Sequence, residues 1–428
     1  MQLTKIKLKL ISVCEITPKI LTLIKSNFQR DYINSKASQK YYKDNFFNEF
    51  RGFMYPNQGE VDEGFHFYER PIKDLTLKHD RFTFSISRAE VMRTPNKLGV
   101  FSVTIDINES ALDDITLILS RLRSFDQKVS LVTNREEGTE QKEVSDDLLL
   151  SKVIEDKALG FNFRQDRVAD LYSGSKFKVF FVGEYSDLEG HQREHLLYDI
   201  ATSSPVGSGA GQGFFAPHSD YYTMLSPHFL RAFNNYEGLV LLDSFVVIGD
   251  SILTGPNDFV SSLKMKTWDL TYFRIYLYVL YLKYSLYRFN SLWKEGISES
   301  FSEFEDFYYQ YNISHISFNF LPQLIHDKIR TGVEIDKELT LFKERMQRLS
   351  EREDERQAQK QARLIQVAST AVVIASIPWS DLYDFFVKIK ISPLLAFSMC
   401  FGLLFANGLG VWLYNQHKEK TKNTGVDT

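Results

Sequence analysis

Apolar and polar residues follow two different periods along the chain, and the pattern predicts a mixture of strands and helices. Runs rich in β-branched and aromatic residues, typical of β-strands, cover 81–86, 99–107, 177–182 and 239–248. Residues 111–125 have helical spacing, and 263–331 are predicted to be helical as well. We therefore predict an α/β (α+β) N-terminal cytosolic domain over 1–260, which would sense a ligand, and a helical subdomain over 261–331.

The segment 270–293 within that subdomain is apolar nearly all round and contains six tyrosines. It resembles a membrane span in hydrophobicity, but Arg274, Lys283 and Arg288 interrupt it. A charge at the centre of a bilayer costs a few kcal/mol, so the pattern favours a helix buried in protein.

A heptad pattern follows, with apolar residues at alternating spacings of three and four. Its members are Ile335, Leu339, Phe342, Met346 and Leu349. Such a seam favours self-association of long helices, so we predict a stalk helix over 332–363. The alternative is a helix that packs on its own domain and leaves its charges in solvent.

Two uncharged runs stand near the end of the chain, over 364–377 and 393–414. A helix needs about 20 apolar residues to cross a bilayer, which predicts a two-helix transmembrane hairpin over 364–414. Basic residues before the first run and in the tail 415–428 place both termini in the cytoplasm. The expected location is the cell inner membrane, as a multi-pass protein. A hairpin buried in a soluble core is the alternative.

Composition changes this picture little. The chain has 51 basic and 55 acidic residues, and this net charge of −4 argues against direct nucleic-acid binding. Two cysteines cannot form a disulfide framework and are typical of a reducing compartment. The mean hydropathy of −0.24 averages the apolar end with the charged remainder.

This layout resembles the CorA-type divalent-cation transporters, in which a cytosolic α/β domain precedes a long stalk helix, two spans and a basic tail. The resemblance implies a homo-oligomer, a pentamer, in a lipid bilayer, with the first span of each copy lining a pore. The residues that would then line the pore and its outer mouth are Val367, Thr370, Ile374, Ile377, Asp381 and Asp384.

The chain departs from that family where ion selection occurs. CorA transporters carry a Gly-Met-Asn motif at the outer end of the first span, and here 377–384 reads IPWSDLYD. Without the motif, a Mg²⁺ or other divalent-cation transporter becomes the alternative interpretation. Rings of Asp381 and Asp384 could still concentrate cations, or these acids could simply cap a turn.

CorA-like proteins without transport signatures also occur beside type III CRISPR systems, and the chain resembles them in size and architecture. That resemblance implies an antiviral effector gated by a nucleotide second messenger, such as an adduct of S-adenosylmethionine and AMP. It would act by ion flux or membrane permeabilisation. The other alternative is a membrane-tethered enzyme or sensor.

A glycine-rich segment is the candidate ligand site within 1–260. Backbone N–H groups of alternating glycines can approach phosphate oxygens, aromatic rings can stack on a base, and an arginine can offset a phosphate charge. The candidate residues are Gly207, Gly209, Gly211, Gly213, Phe214 and Arg231, with Phe215, Tyr221 and Tyr222 as further stacking residues. The segment lacks a Walker A ending, and a flexible surface loop is the alternative.

Evidence for catalysis is sparse. Residues 191–195 read HQREH and match the H-x-x-E-H pattern of inverted zincins, but no third ligand stands nearby. We interpret this segment as a surface helix and predict no catalytic residues. The candidate bound species are a nucleotide and Mg²⁺ or another divalent cation, and the sequence assigns no metal ligands.

Overall fold

The structure is a computed structural model of the whole chain. It describes residues 2–31, 36–55, 64–107, 110–133, 142–165, 167–185, 190–250, 267–294, 300–376, 378–395, 397–399, 401–402 and 405. The chain divides into two compact units, Met1–Lys343 and Glu344–Thr428.

The first unit is built on one large mixed sheet, to which the described residues contribute thirteen strands. The strands are β1 (Gln2–Glu15), β2 (Gln29–Arg30), β3 (His66–Pro71), β4 (Thr76–His79), β5 (Phe82–Arg93), β6 (Leu98–Ile107), β7 (Ser110–Ala111), β8 (Lys128–Thr133), β9 (Lys142–Leu149), β10 (Lys178–Tyr185), β11 (Phe229–Phe233), β12 (Tyr236–Leu241) and β13 (Ser244–Asp250).

The main strand order is β11-β12-β13-β10-β1-β6-β5-β4-β8-β9, with β2 and β3 added on β5 and β7 on β1. β10 and β13 run parallel, and the other paired strands are antiparallel. The strands predicted over 81–86, 99–107 and 177–182 are confirmed as parts of β5, β6 and β10. The strand predicted over 239–248 is wrong in detail, because a turn at Leu242 and Asp243 divides it into the hairpin β12–β13.

Helices pack on both faces of this sheet. They are α1 (Pro18–Asn27), α2 (Lys36–Asn45), α3 (Asn48–Met54), α4 (Leu112–Leu122), α5 (Leu150–Val153), α6 (Val168–Ser173), α7 (Gly190–Thr202), α8 (Ser219–Met224), α9 (Phe273–Lys294), α10 (Ser300–Tyr311), α11 (Phe320–Gly332), α12 (Ile335–Ser376) and α13 (Trp379–Lys388). Ile154–Leu159 and Thr267–Tyr272 are π-helical, and Ser226–His228 is a 3-10 turn.

Side chains alternate across β1 and so divide the core into two layers. Leu8 and Leu10 join the main hydrophobic cluster, which includes residues of α4 and α7. Lys9 points to the opposite face, where its ammonium lies 3.8 Å from the ring centroid of Phe273 at the start of α9. The sheet is therefore the middle layer between two helical layers.

The buried helix predicted over 270–293 is confirmed as α9, whose central residues have almost no exposed surface. Each of its three charges has a protein partner. Arg274 pairs with Asp31, Lys283 donates to the Val333 carbonyl at 2.7 Å, and Arg288 donates to the Asn96 carbonyl. Helix burial in protein is possible because these partners satisfy the charges.

The predicted transmembrane hairpin is wrong. No helix in the described part of the chain is both long enough and apolar enough to cross a membrane. Residues 364–376 of the first run form the last part of α12, whose earlier turns are charged, and this helix ends at Ser376. α13 follows with only 10 residues, Asp381 and Asp384 among them, and most of 393–414 lies outside the described residues.

The same finding contradicts the predicted location as a multi-pass protein of the inner membrane. The apolar content of 364–377 is real, but any stretch of α12 long enough for a span includes charged residues such as Lys360 and Arg363. A run of uncharged residues does not by itself define a span, because the helix that contains it also includes charged turns.

The seam of α12 packs within the first unit at its first three positions. Ile335, Leu339 and Phe342 are buried, and the Phe342 ring lies 4.4 Å from that of Phe304 in α10. In this part of the helix, the apolar seam therefore packs on its own domain. This is the alternative interpretation of the heptad pattern.

Candidate functional site

The glycine-rich segment already binds a side-chain carboxylate of the same chain. Gly207 and Gly209 donate backbone hydrogen bonds of 2.8 and 2.7 Å to the two carboxylate oxygens of Asp199, at the end of α7. Asp199 is 1% exposed, and burial raises its pKa to about 6 although both amide bonds lower it. These two N–H groups are thus not available to a phosphate.

The remaining predicted ligand residues do not converge on one point. Gly211 and Gly213 have left-handed φ values of 85° and 76° at the surface. The Phe214 side chain is 94% exposed, and Arg231 pairs with Glu194 at 2.7 Å and lies over the Phe229 ring. Arg231 therefore has a structural partner already.

The H-x-x-E-H segment forms part of α7. Its Glu194 is the partner of Arg231, and the His195 ring packs 6.0 Å from that of Tyr222. Throughout the described residues, no group of three or more His, Cys, Asp or Glu side chains is placed to hold a metal ion.

The predicted pore residues lie in the second unit. Val367, Thr370 and Ile374 belong to α12, where Val367 is exposed and Thr370 donates to the Gln366 carbonyl at 2.7 Å. Asp381 and Asp384 are exposed on α13. Ile377 lies outside the described residues.

A cavity of about 570 Å³ opens beside the glycine-rich segment, and sequence reasoning missed most of it. We call it the turn cavity, because its wall includes the turn between α11 and α12. Its lining comes from six separate parts of the chain and consists of Arg123, Ala201, Thr202, Tyr221, Met224, Leu225, His228, Leu241, Leu242, Asp243, Gly332 and Glu334.

The lining of the turn cavity carries both signs of charge, from Arg123, Asp243 and Glu334. Arg123 Nη2 lies 3.1 Å from Asp243, which also pairs with Lys178, and Arg123 Nη1 donates to Ser203 at 3.4 Å. Burial alone would raise the pKa of Asp243, but Lys178 and Arg123 lower it below its usual value. Two cations thus share one carboxylate, and no acceptor among the described residues reaches the buried Arg123 Nε.

The opposite part of the lining supplies apolar surface and a hydrogen-bonding ring. Tyr221 and Met224 of α8 are 47% and 70% exposed, so a ligand could cover them. His228 Nδ1 lies 3.1 Å from the Val240 carbonyl, which makes Nδ1 the donor and leaves Nε2 as the acceptor of the neutral ring. The cavity therefore combines cationic, apolar and polar groups.

The turn into α12 is held in place by several contacts. Glu334 has a left-handed φ of 58° and its N–H donates to the Thr331 carbonyl at 3.1 Å. Lys283 Nζ lies 3.0 Å from Glu338, and Arg330 pairs with Asp336 in the first turn of α12. A molecule in the turn cavity would touch the origin of the longest helix of the described chain.

Comparison of the chain with protein-family models, with curated proteins and with solved structures finds no match in any of the three.

Proposed function

We propose that the chain is a sensor that binds a small nucleotide in the turn cavity and passes the binding event to α12. The observation that carries this proposal is the composition of the cavity wall, in which Arg123 lines the same cavity as the turn residues Gly332 and Glu334. A ligand that contacts both has a direct mechanical connection to a helix of 42 residues.

The chemistry of the cavity supports a nucleotide. Guanidinium groups form strong, directed hydrogen bonds with phosphate, and Arg123 is part of the cavity lining. Tyr221 offers an exposed ring for stacking on a base. The volume of about 570 Å³ falls in the range of cavities that bind small molecules.

The class of nucleotide comes from the resemblance to CorA-like effectors of type III CRISPR systems. It favours a second messenger such as an adduct of S-adenosylmethionine and AMP, in an antiviral role. Binding can shift α12 only if the ligand prefers one arrangement of the turn, and typical couplings of this kind are about 1–3 kcal/mol. Homo-oligomerisation, ion flux and divalent-cation transport stay predictions.

Calorimetric titration of the purified chain with AMP, S-adenosylmethionine and their adduct tests the proposal. We expect binding of the adduct, and a loss of about tenfold or more in the variant Arg123→Gln. Arg121→Gln is the matched control, because Arg121 lies exposed on the preceding turn and is not part of the cavity lining. Absence of binding, or equal affinities of the two variants, would contradict the proposal.

Two further readouts separate a sensor from an enzyme and from a passive binder. The nucleotide recovered after incubation should be chemically unchanged, and its conversion would contradict a purely sensory role. Hydrogen exchange of the amides over 330–343 should slow when ligand is present, because the turn is part of the site. Unchanged exchange there would contradict transmission through α12.

A further inference from the structure

The two carboxylates that line the turn cavity differ in how strongly they are paired. Asp243 already contacts two cations, Arg123 at 3.1 Å and Lys178. Glu334 lies 3.7 Å from Lys337, and the two side chains of this pair are 49% and 68% exposed. An ion pair so open to solvent contributes little and is easily replaced by another partner. Glu334 therefore brings to the cavity lining a negative charge that a ligand can use.

The backbone at Glu334 does not favour a glutamate. The residue follows Val333, which caps the end of α11, and its φ of 58° lies in the left-handed region. Its carbonyl accepts the N–H of Glu338 at 3.2 Å, so it is also the N-cap of α12. Glycine is the usual residue at a left-handed position after a helix, and Ser, Thr, Asp, Asn or Gly are the usual N-caps. Unfavourable backbone conformations of this kind cluster at functional sites.

Neighbouring charges do not account for the carboxylate of Glu334. The buried ammonium of Lys283 is bound by Glu338 at 3.0 Å and by the Val333 carbonyl at 2.7 Å. The positive end of the α12 dipole already has Asp336 and Glu338 in the first turn of the helix. What distinguishes Glu334 from these two acids is its place in the lining of the turn cavity.

We propose that Glu334 is a specificity-determining residue of the turn cavity, whose carboxylate binds a cationic centre of the ligand. This inference rests on the proposed nucleotide site and narrows its ligands to nucleotides that carry a positive charge. An adduct of S-adenosylmethionine and AMP has such a centre at its sulfonium. In the corresponding adduct of S-adenosylhomocysteine, the sulfur is a neutral thioether. Opposite charges on the first adduct match Arg123 and Glu334 in the same lining.

Calorimetric titration of the purified chain with these two adducts tests the proposal. They differ by one methyl group and one charge, so they separate charge from overall shape. We expect the sulfonium adduct to bind about fivefold more tightly, as is typical of an ion pair near solvent. This preference should decrease in about 0.5 M salt, which screens the pair. Equal affinities of the natural chain for the two adducts would overturn the assignment of Glu334.

A charge-removing variant shows whether the preference comes from this residue. Glu334→Gln should bind the two adducts equally and keep the affinity of the natural chain for the thioether adduct. Glu344→Gln is the matched control, because Glu344 is exposed on the same helix and lies outside the cavity lining, and it should keep the preference. A preference that survives in Glu334→Gln would overturn the assignment alone. Binding of neither adduct to the natural chain would overturn the nucleotide site itself and this inference with it.

A second variant separates recognition from folding. Glu334→Gly also lacks the carboxylate, and glycine adopts a left-handed φ without steric cost. It should therefore unfold at a higher urea concentration than Glu334→Gln and should likewise bind the two adducts equally. Equal binding in a variant with a relaxed backbone would show that the preference is not lost through a folding defect. A lower urea midpoint for Glu334→Gly than for Glu334→Gln would show that the turn is not strained and would overturn the argument.

Discussion

The backbone N–H of Gly209 donates a hydrogen bond of 2.7 Å to the carboxylate of Asp199. A side chain at position 209 would not fit, because its Cβ would lie 2.6 Å from the His195 carbonyl oxygen. The glycine at this position therefore permits close packing on α7 and capture of a buried carboxylate. The phosphate nest predicted from the glycine pattern is instead an internal structural contact.

The pKa of Asp199 predicts an unusual pH dependence. Since burial raises this pKa from its ordinary 3.8 to about 6, the folded chain keeps a proton that the unfolded chain has lost. The contribution of Asp199 to stability is thus complete below about pH 4 and is lost as the pH rises through about 6. The variant Asp199→Asn cannot ionise at this position and therefore avoids the loss. The free energy of unfolding of the variant minus that of the natural chain should increase by about 1–3 kcal/mol when the pH is raised from about 4.5 to about 7.5.

Urea unfolding at the two pH values measures this difference. Asp306→Asn serves as the control, because Asp306 is exposed on α10 and a surface substitution of this kind should change the free energy of unfolding by less than about 0.5 kcal/mol. A stability difference between Asp199→Asn and the natural chain that does not vary with pH would refute the assignment.

A buried ion-pair cluster gives a second prediction. Asp269 lies 2.6 Å from Lys9, 2.7 Å from Arg88 and 2.8 Å from Lys7, between the sheet and the start of α9. Burial opposes the charge of Asp269, but Lys9, Arg88 and Lys7 hold its pKa well below the usual range. Asp269→Asn should cost about 3–5 kcal/mol, because it removes the buried carboxylate that Lys7, Lys9 and Arg88 share and leaves Glu90 beside Lys9 and Arg88.

The exposed pair of Arg81 with Asp114 provides the comparison. Asp114→Asn should cost less than about 1 kcal/mol, since Arg81 is mostly in solvent. The stability that Asp269 contributes should be present above about pH 4 and lost as the pH falls toward its lowered pKa. Similar losses for the two variants in chemical unfolding would contradict a role of burial in this cluster.

Local patterns predicted the elements well and the long-range arrangement poorly. β6 is recognisable because it is rich in β-branched and aromatic residues, and α9 because Arg274, Lys283 and Arg288 interrupt its apolar surface. The run 364–377 looked similar to a span, but only the bounds of α12 reveal that charged turns belong to the same helix.

The sites could not be derived from spacing at all. Arg123 follows α4, Asp243 lies in the β12–β13 turn and Gly332 ends α11, so only the folded sheet brings them to one cavity. Among the described lining residues, Tyr221 belongs to the ligand site predicted from the sequence, and His228 follows that segment. A second cavity is likewise lined by rings from distant parts of the chain, Tyr41, Phe233, Tyr236, Trp268 and Tyr272, which form no local motif.

Close packing at the end of α11 gives a third prediction. A Cβ at Gly332 would lie 2.5 Å from both Cγ1 and the carbonyl oxygen of Val240 in β12. Gly332→Ala should therefore displace the helix and cost about 1–3 kcal/mol in thermal or urea unfolding. Gly52→Ala in α3 meets no atom within 4 Å and should be neutral or stabilise by up to about 1 kcal/mol. The reverse order of these effects would contradict the packing described.

The adjacent residues Leu341 and Phe342 test what the seam of α12 does. Phe342 is 3% exposed against Phe304, whereas Leu341 is 46% exposed. If the seam packs on its own domain, Phe342→Ala should lower the free energy of unfolding by about 3–5 kcal/mol. Leu341→Ala should change it by less than about 1 kcal/mol.

Light scattering across a range of concentrations provides the second readout for this pair. If the seam served only a coiled coil between copies, Phe342→Ala would instead lower the molecular mass of the protein in solution. The unfolding free energy of the single chain would then stay the same. That outcome would contradict internal packing. A lower free energy of unfolding without a change in molecular mass would support internal packing. Any homo-oligomer would then have to form through surfaces other than Ile335, Leu339 and Phe342. These side chains are buried within the chain and are therefore unavailable to a partner.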